Sequence, residues 1–294
     1  MAATSALATG IGGGPGLRAR HRLGTFLLLL PMLIFLGSWF VLPIGQLLLL
    51  SFDMPGGPFA SYAELLGSGV FRQVFINTLI LALVVTFFCV VMACPTAYLL
   101  SRIRGIWFTL ALYCVLVPFW ISILVRTFSW MLLLERNGPV NALLIWAGLT
   151  DAPLPLLFND FSVYVGMIHV LLPYAVLPIY SAMLKVDHRL LQASEGLGAS
   201  GLMTFVRIYL PLILPGILAG AAFVFLLALG FYITPALLGG LQNLTAAMLI
   251  DNFVNERLVW PLAAAASFIL LFIVLAILAV MSRFLSLGSV LVMR

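Results

Sequence analysis

The chain has 294 residues, 64% of them hydrophobic and 8% charged, with a formal net charge of +5. A soluble domain of this length carries about a quarter charged residues, so the composition excludes a water-soluble globular protein and makes lipid the natural solvent. The basic residues stand at the ends of apolar runs, which reads as membrane topology and argues against nucleic-acid binding.

Residues 1–24 are rich in Gly, Ala and Arg and read as a flexible cytoplasmic tail. Arg18, Arg20 and Arg22 precede an apolar run, as they would in a signal peptide. That run continues to about Leu50 without a small-residue cleavage site, so it is expected to remain as a first span. A span needs about 20 apolar residues. Six stretches qualify: 25–50, 75–99, 106–124, 161–183, 212–238 and 260–281. They predict an all-α membrane protein whose membrane domain occupies 25–282, followed by a cytoplasmic tail at 283–294. Prolines recur inside the runs, at Pro31, Pro43, Pro95, Pro118, Pro173, Pro178 and Pro235. Such prolines persist where neighbours satisfy the freed carbonyls, so they predict kinked helices packed on partners.

The charges orient the spans. With the N-terminus in the cytoplasm, ten of the 14 basic residues fall inside and four outside. Seven of the nine acidic residues, Asp160 among them, fall outside. Both termini are therefore expected to be cytoplasmic. The outer segment 137–160 holds a short apolar stretch at 142–149, then Pro153 and Pro155. It is too short to span. It is either an interfacial helix beneath an external partner or a loop packed on its own bundle.

The longest cytoplasmic connection, 185–210, lies between the fourth and fifth spans. Asp187 is a good N-cap. Leu190, Ala193, Ser194 and Leu197 follow at helical spacing, with one apolar, small-residue face. Gly198 can close this helix in a left-handed conformation. A second short helix is expected from Ser200 to Tyr209, and Pro211 is expected in the first turn of the fifth span. Two short helices with a sharp bend make a rigid knob for docking.

Gln192-Ala193-Ser194, Leu197-Gly198-Ala199, Leu210-Pro211 and Pro215-Gly216 resemble the cytoplasmic loop of permeases in bacterial binding-protein-dependent ATP-binding cassette importers. The family has Glu-Ala-Ala where this chain has Gln192-Ala193-Ser194. Val117-Pro118-Phe119-Trp120, the stretch Leu124 to Trp130, and Pro235 to Gly240 look like the spermidine/putrescine-type branch. The resemblance implies a type I importer permease fold with six transmembrane helices in the bacterial inner membrane. It implies that the knob inserts into a groove on a separate ATPase and transmits its closure. It further implies a second, non-identical permease, an external solute-binding protein, and ATP and Mg bound by the partner ATPase, with no cofactor on this chain. The solute is expected to be small and polar, with polyamines favoured over amino acid derivatives, opines or phosphonates. Gln192 cannot form the ion pair a glutamate would.

Candidate path residues follow from chemistry. Arg126, near the outer end of the third span, either snorkels to the interface or lines the translocation path. Phe119, Trp120, Phe128 and Trp130 form either an aromatic wall for an organic cation or an interfacial belt. Phe231 and Tyr232, placed within the fifth span, are candidate gate residues. None of the nine acidic residues lies at mid-span, so a cationic solute would need carboxylates or selection from elsewhere. His21, His169 and His188 lack metal-ligand spacing, and His169 is expected to hydrogen-bond a neighbouring helix. Cys89, Cys94 and Cys114 lie in apolar runs and read as packing residues. No Gly-rich loop carries the Lys-Ser or Lys-Thr of a phosphate cradle, so ATP binding by this chain is not expected. An ion-driven secondary transporter would need mid-membrane ionisable groups and repeat symmetry, and the sequence offers neither.

Overall fold

The computed structural model describes residues 28–240 and 243–292, the last twelve of them as backbone only. The expected tail at 1–24 lies outside the described residues. Among the described residues every regular element is a helix. In chain order they are α1 (Leu28–Leu50), α2 (Ala60–Gly67), α3 (Gly69–Arg102), α4 (Ile106–Trp120), α5 (Ile123–Leu134) and α6 (Pro139–Trp146). They continue as α7 (Asp160–Leu184), α8 (His188–Gly196), α9 (Gly201–Leu229), α10 (Ile233–Leu238), α11 (Ala246–Asp251) and α12 (Trp260–Val292). The backbone of α12 thus stays helical beyond the expected span end at 281, to Val292.

Five helices, α1, α3, α7, α9 and α12, are long and apolar enough to cross a membrane. A sixth candidate crossing is a bent pair of helices. Helix α4 ends at Trp120, and it meets the segment Ile123–Trp146 at 103°. The third span is therefore not the continuous run 106–124. Its 15 residues rise only about 22 Å, short of a hydrocarbon core of about 30 Å. Pro118 lacks the N–H that would extend the ladder, and the helix stops two residues later. The expected fifth span, 212–238, is also shortened at its outer end. Helix α9 stops at Leu229, Gly230 caps it, and 233–238 forms the separate α10.

Helices α3, α7 and α9 build the core. Small or slender residues recur every three or four positions along α3, where Ala82, Val85, Cys89, Ala93 and Ala97 are fully buried. That stripe lets α3 lie close to Val163, Met167 and Val176 of α7 and Val224 of α9 in one cluster. The α7–α9 contact is closer still. A Cβ at Gly216 would collide with the Ala182 methyl, and one at Gly220 would stand 2.9 Å from the Ala175 carbonyl oxygen. Gly216-x-x-x-Gly220 therefore sets the approach of two backbones. Helix α7 passes through Pro173 and Pro178 without ending, and starts from a capping box between Asn159 and Ser162.

A second cluster joins Phe71 and Phe75 of α3 to Leu249 of α11 and to Leu262 and Ala266 of α12. Thr78 fastens it by accepting the Ala246 amide at 2.8 Å while donating to the Val74 carbonyl at 2.7 Å. Helices α1 and α4 bury no residue. Trp39 of α1 is 75% exposed and Trp120 of α4 is 88% exposed, as faces turned to lipid or to another chain would be.

Candidate functional site

Two regions bring together the residues singled out from the sequence. The first is the knob between α7 and α9. Asp187 caps α8, its Oδ1 accepting the Arg189 amide at 2.9 Å. At the other end Gly198 takes a φ of +86°. Its N–H donates to the Glu195 carbonyl at 3.0 Å, and the Ala199 N–H reaches back to the Ser194 carbonyl at 3.1 Å. That pairing is the Schellman motif, which needs a left-handed residue where Gly198 stands. Ser200 then caps α9 by accepting the Met203 amide at 3.4 Å.

The two arms are joined inside the knob. The hydroxyls of Ser194 and Thr204 lie 2.5 Å apart, and both residues are buried. Gln192 and Ala193 face outward, and Ala199 is half-buried. Leu197 is 90% exposed and Leu202 75%, so the knob presents unpartnered apolar side chains.

The expected second short helix is not a separate element. It runs without interruption into the fifth span as the single helix α9. Residues Phe205–Tyr209 form a π-helical turn closed by the Leu210 N–H on the Phe205 carbonyl. Pro211 opens the regular turns that follow, where its missing N–H falls beside the wide turn. Pro211 is exposed and Leu210 half-buried. Tyr209 is buried and meets Tyr98 of α3 edge-on at 6.3 Å, which ties this junction to the core.

The second region is a cavity of about 370 Å³ formed by the α4–α5 break, α7 and the end of α9. Phe119, Trp120, Arg126 and Phe231 line it together with Ser122 and Tyr174. The rings of Phe119 and Tyr174 are 4.7 Å apart. Arg126 is buried and does not snorkel to the interface. Its Nη2 donates to the carbonyls of Pro118 and Ile121, the latter at 2.9 Å. A guanidinium thus satisfies the carbonyls left by the broken helix, at the end where a helix dipole favours a cation.

Trp130 and Tyr232 do not line this cavity. Trp130 donates its indole N–H to His169 Nδ1 at 3.0 Å, pinning α5 to α7. Tyr232 lies past the end of α9 and donates to Asp251 Oδ2 at 2.9 Å. That bond holds its phenol above the usual tyrosine range. Phe231 and Tyr232 are therefore not within the fifth span, because Gly230 ends it first. Among the described residues no group of three His, Cys, Asp or Glu side chains is placed to hold a metal ion.

Relatives connect these features. The chain is 38% identical over 208 residues to the spermidine/putrescine transport system permease protein PotB of Escherichia coli (strain K12), covering 70% of this chain and 75% of PotB. The PotB of Haemophilus influenzae is 35% identical over 202 residues, covering 67% and 69%. The chain belongs to the spermidine/putrescine-type family of ATP-binding cassette importer permeases. No protein-family model matches it. The fold of the permease agrees with that of a chain in a bacterial transporter for the acidic polysaccharide alginate, at a TM-score of 0.74 and 19% identity, covering 92% and 97% of the two chains. A chain of the MetNI methionine transporter matches at 0.55 and 17%, covering 75% of the permease and 99% of that chain.

The permease departs from the family's Glu-Ala-Ala pattern at Gln192 and Ser194. Ser194 has a partner in Thr204 that an alanine would lack. Three features escaped the sequence reading: Thr204, Tyr174 and the Gly216–Gly220 contact. Of these, only the four-residue spacing of the glycines was available as a signal beforehand.

Proposed function

We propose that the permease forms half of the translocation path for a small polyamine such as spermidine or putrescine, powered by a separate ATPase. The observation that carries the coupling is the continuity of α9. A capped, internally bonded knob sits on the same rigid helix whose far end reaches the aromatic cavity. Movement of the knob by a closing ATPase would therefore be delivered to Leu227 and Phe231 at the cavity wall.

ATP and Mg belong in that partner. The exposed faces of α1 and α4 suit lipid and a second, non-identical permease, and the outer loops suit an external solute-binding protein. Both termini lie in the cytoplasm of a bacterial inner membrane. The permease itself performs no bond chemistry; it binds, excludes and rearranges.

Names of relatives favour a polyamine, and so does the cavity wall. The rings of Phe119, Trp120, Tyr174 and Phe231 offer faces to an organic cation. The charge of Arg126 is directed at backbone carbonyls, which moderates its repulsion of such a solute. The test is uptake of labelled spermidine by proteoliposomes holding the permease with its cognate permease, ATPase and binding protein. ATP-dependent uptake, competed by putrescine and untouched by amino acids or phosphonates, is expected. Uptake of one of those other solutes in place of spermidine would contradict the polyamine assignment.

A further inference from the structure

A second and larger cavity, about 930 Å³, opens at the end of the bundle where α3 and α7 begin. Helix α7 then runs its 25 residues, about 37 Å, to the knob at the opposite end. The wall of this cavity mixes apolar side chains, Ile80, Leu81 and Leu244, with a set of polar ones. Gln73 and Asn77 stand on α3, Asp160 and Tyr164 on α7, and Asn243 on the connection after α10. Among the described residues lining it there is one carboxylate, Asp160, and no Lys, Arg or His.

The groups are held in place. Asn243 donates to Asp160 Oδ1 through Nδ2, and accepts the Gly240 amide at 3.0 Å through its own Oδ1. Gln73 Nε2 donates to Asn77 Oδ1 at 3.0 Å. Gly240 lies against the Phe158 carbonyl so closely that a Cβ would come within 2.6 Å. Phe158 is itself held at a φ of +60°, which a bulky residue resists, and it lines the cavity while 56% exposed. Strained residues of this kind persist where the surroundings demand them, and they gather at binding sites.

We propose that this outer cavity is a binding site for the primary ammonium group of an alkylamine, occupied before the solute reaches the aromatic cavity. The proposal rests on the polyamine reading above. A carboxylate, neutral amide and phenol oxygens and an exposed aromatic face are the acceptors an ammonium requires. The volume suits an extended organic cation and far exceeds a single ion. Asp160 also stands in the first turn of α7, whose positive end offsets part of its charge. The grip is therefore moderate, as release to a deeper site requires.

The experiment measures equilibrium binding of labelled spermidine to the full-length chain in lipid nanodiscs, at low ionic strength. Asp160→Asn is expected to weaken binding about ten-fold, the loss of one charge-assisted contact. Asn77→Asp, which adds a second carboxylate to the same wall, is expected to tighten it by a similar factor and keeps the test decisive if the first variant misfolds. Unchanged affinity in the folded variants overturns the site, as does a wild-type chain that binds no spermidine. Uptake by the wild-type importer separates the two ideas. Spermidine uptake with unaltered variant affinities leaves the polyamine reading standing and removes the outer site, whereas a wild-type importer that takes up no spermidine removes both.

Discussion

Arg126 is the residue whose role depends most on its surroundings. A lone guanidinium in an apolar span suggests either a functional charge or a side chain reaching for the interface. What decides is the break at Ile121–Ser122, which exposes carbonyls that lipid cannot satisfy. Arg126 answers two of them from one buried position and also lines the cavity. Arg126→Leu should therefore destabilise the protein by about 3 kcal/mol, since two hydrogen bonds to a charged donor are lost and their acceptors are left unpaired at the helix break. The thermal midpoint of the protein in detergent reads this. Arg126→Lys should recover part of it, because both bonds come from one nitrogen, which an ammonium can replace only from a shorter reach. A midpoint unchanged in the leucine variant would mean that the break is held by something else. The same dependence explains Ser194. From sequence it is a departure from the family pattern; in the structure it is half of a buried pair whose other half, Thr204, lies ten residues away.

At the scale of elements, hydropathy locates where the chain crosses, and local chemistry decides where each crossing ends. Helices α3, α7 and α12 start within a few residues of the apolar runs or extend beyond them. The third and fifth spans do not follow their runs. Apolar residues continue through Ile121–Leu124 and Phe231–Leu238, so a hydrophobicity window cannot see Pro118 or Gly230 interrupt the helix. The knob was legible almost residue by residue, because caps and left-handed glycines leave local signatures. The fusion of its second arm with α9 was not, because a π-helical turn depends on backbone hydrogen bonding that has no compact sequence signature. Packing between α7 and α9 depends on Gly216 and Gly220. Gly216→Leu should push the helices apart, since its side chain would enter space filled by Ala182 and the Pro178 carbonyl. The expected result is loss of folded protein from the membrane, measured by fluorescence-detected size exclusion. A sharp monodisperse peak at wild-type yield would show that the contact is dispensable.

The whole molecule reads as a lever with two working ends. Its rigid part is the α3–α7–α9 core, dense with fully buried small residues. The knob stands at one end, the aromatic cavity lies between the core and the α4–α5 break, and the larger cavity opens at the other end. Composition and charge bias alone point to the membrane setting and the expected orientation. They could not give the convergence of Phe119, Trp120, Arg126 and Phe231, since that depends on a bend of 103° between two helices. They equally could not exclude Trp130 and Tyr232, whose partners His169 and Asp251 are distant in sequence. The central claim is that the knob transmits ATPase motion to the path. A Cβ at Gly198 meets no atom within 4 Å, so a substitution there acts through the backbone angle alone and leaves the spans intact. A left-handed β-branched residue costs upward of about 1–2 kcal/mol, enough to unmake the Schellman turn and reshape the knob. The decisive measurement is ATP hydrolysis and spermidine uptake in parallel, in proteoliposomes carrying the complete importer with Gly198→Val. Hydrolysis that continues while uptake falls at least ten-fold is the predicted result, and uptake at the wild-type ratio to hydrolysis would contradict the account.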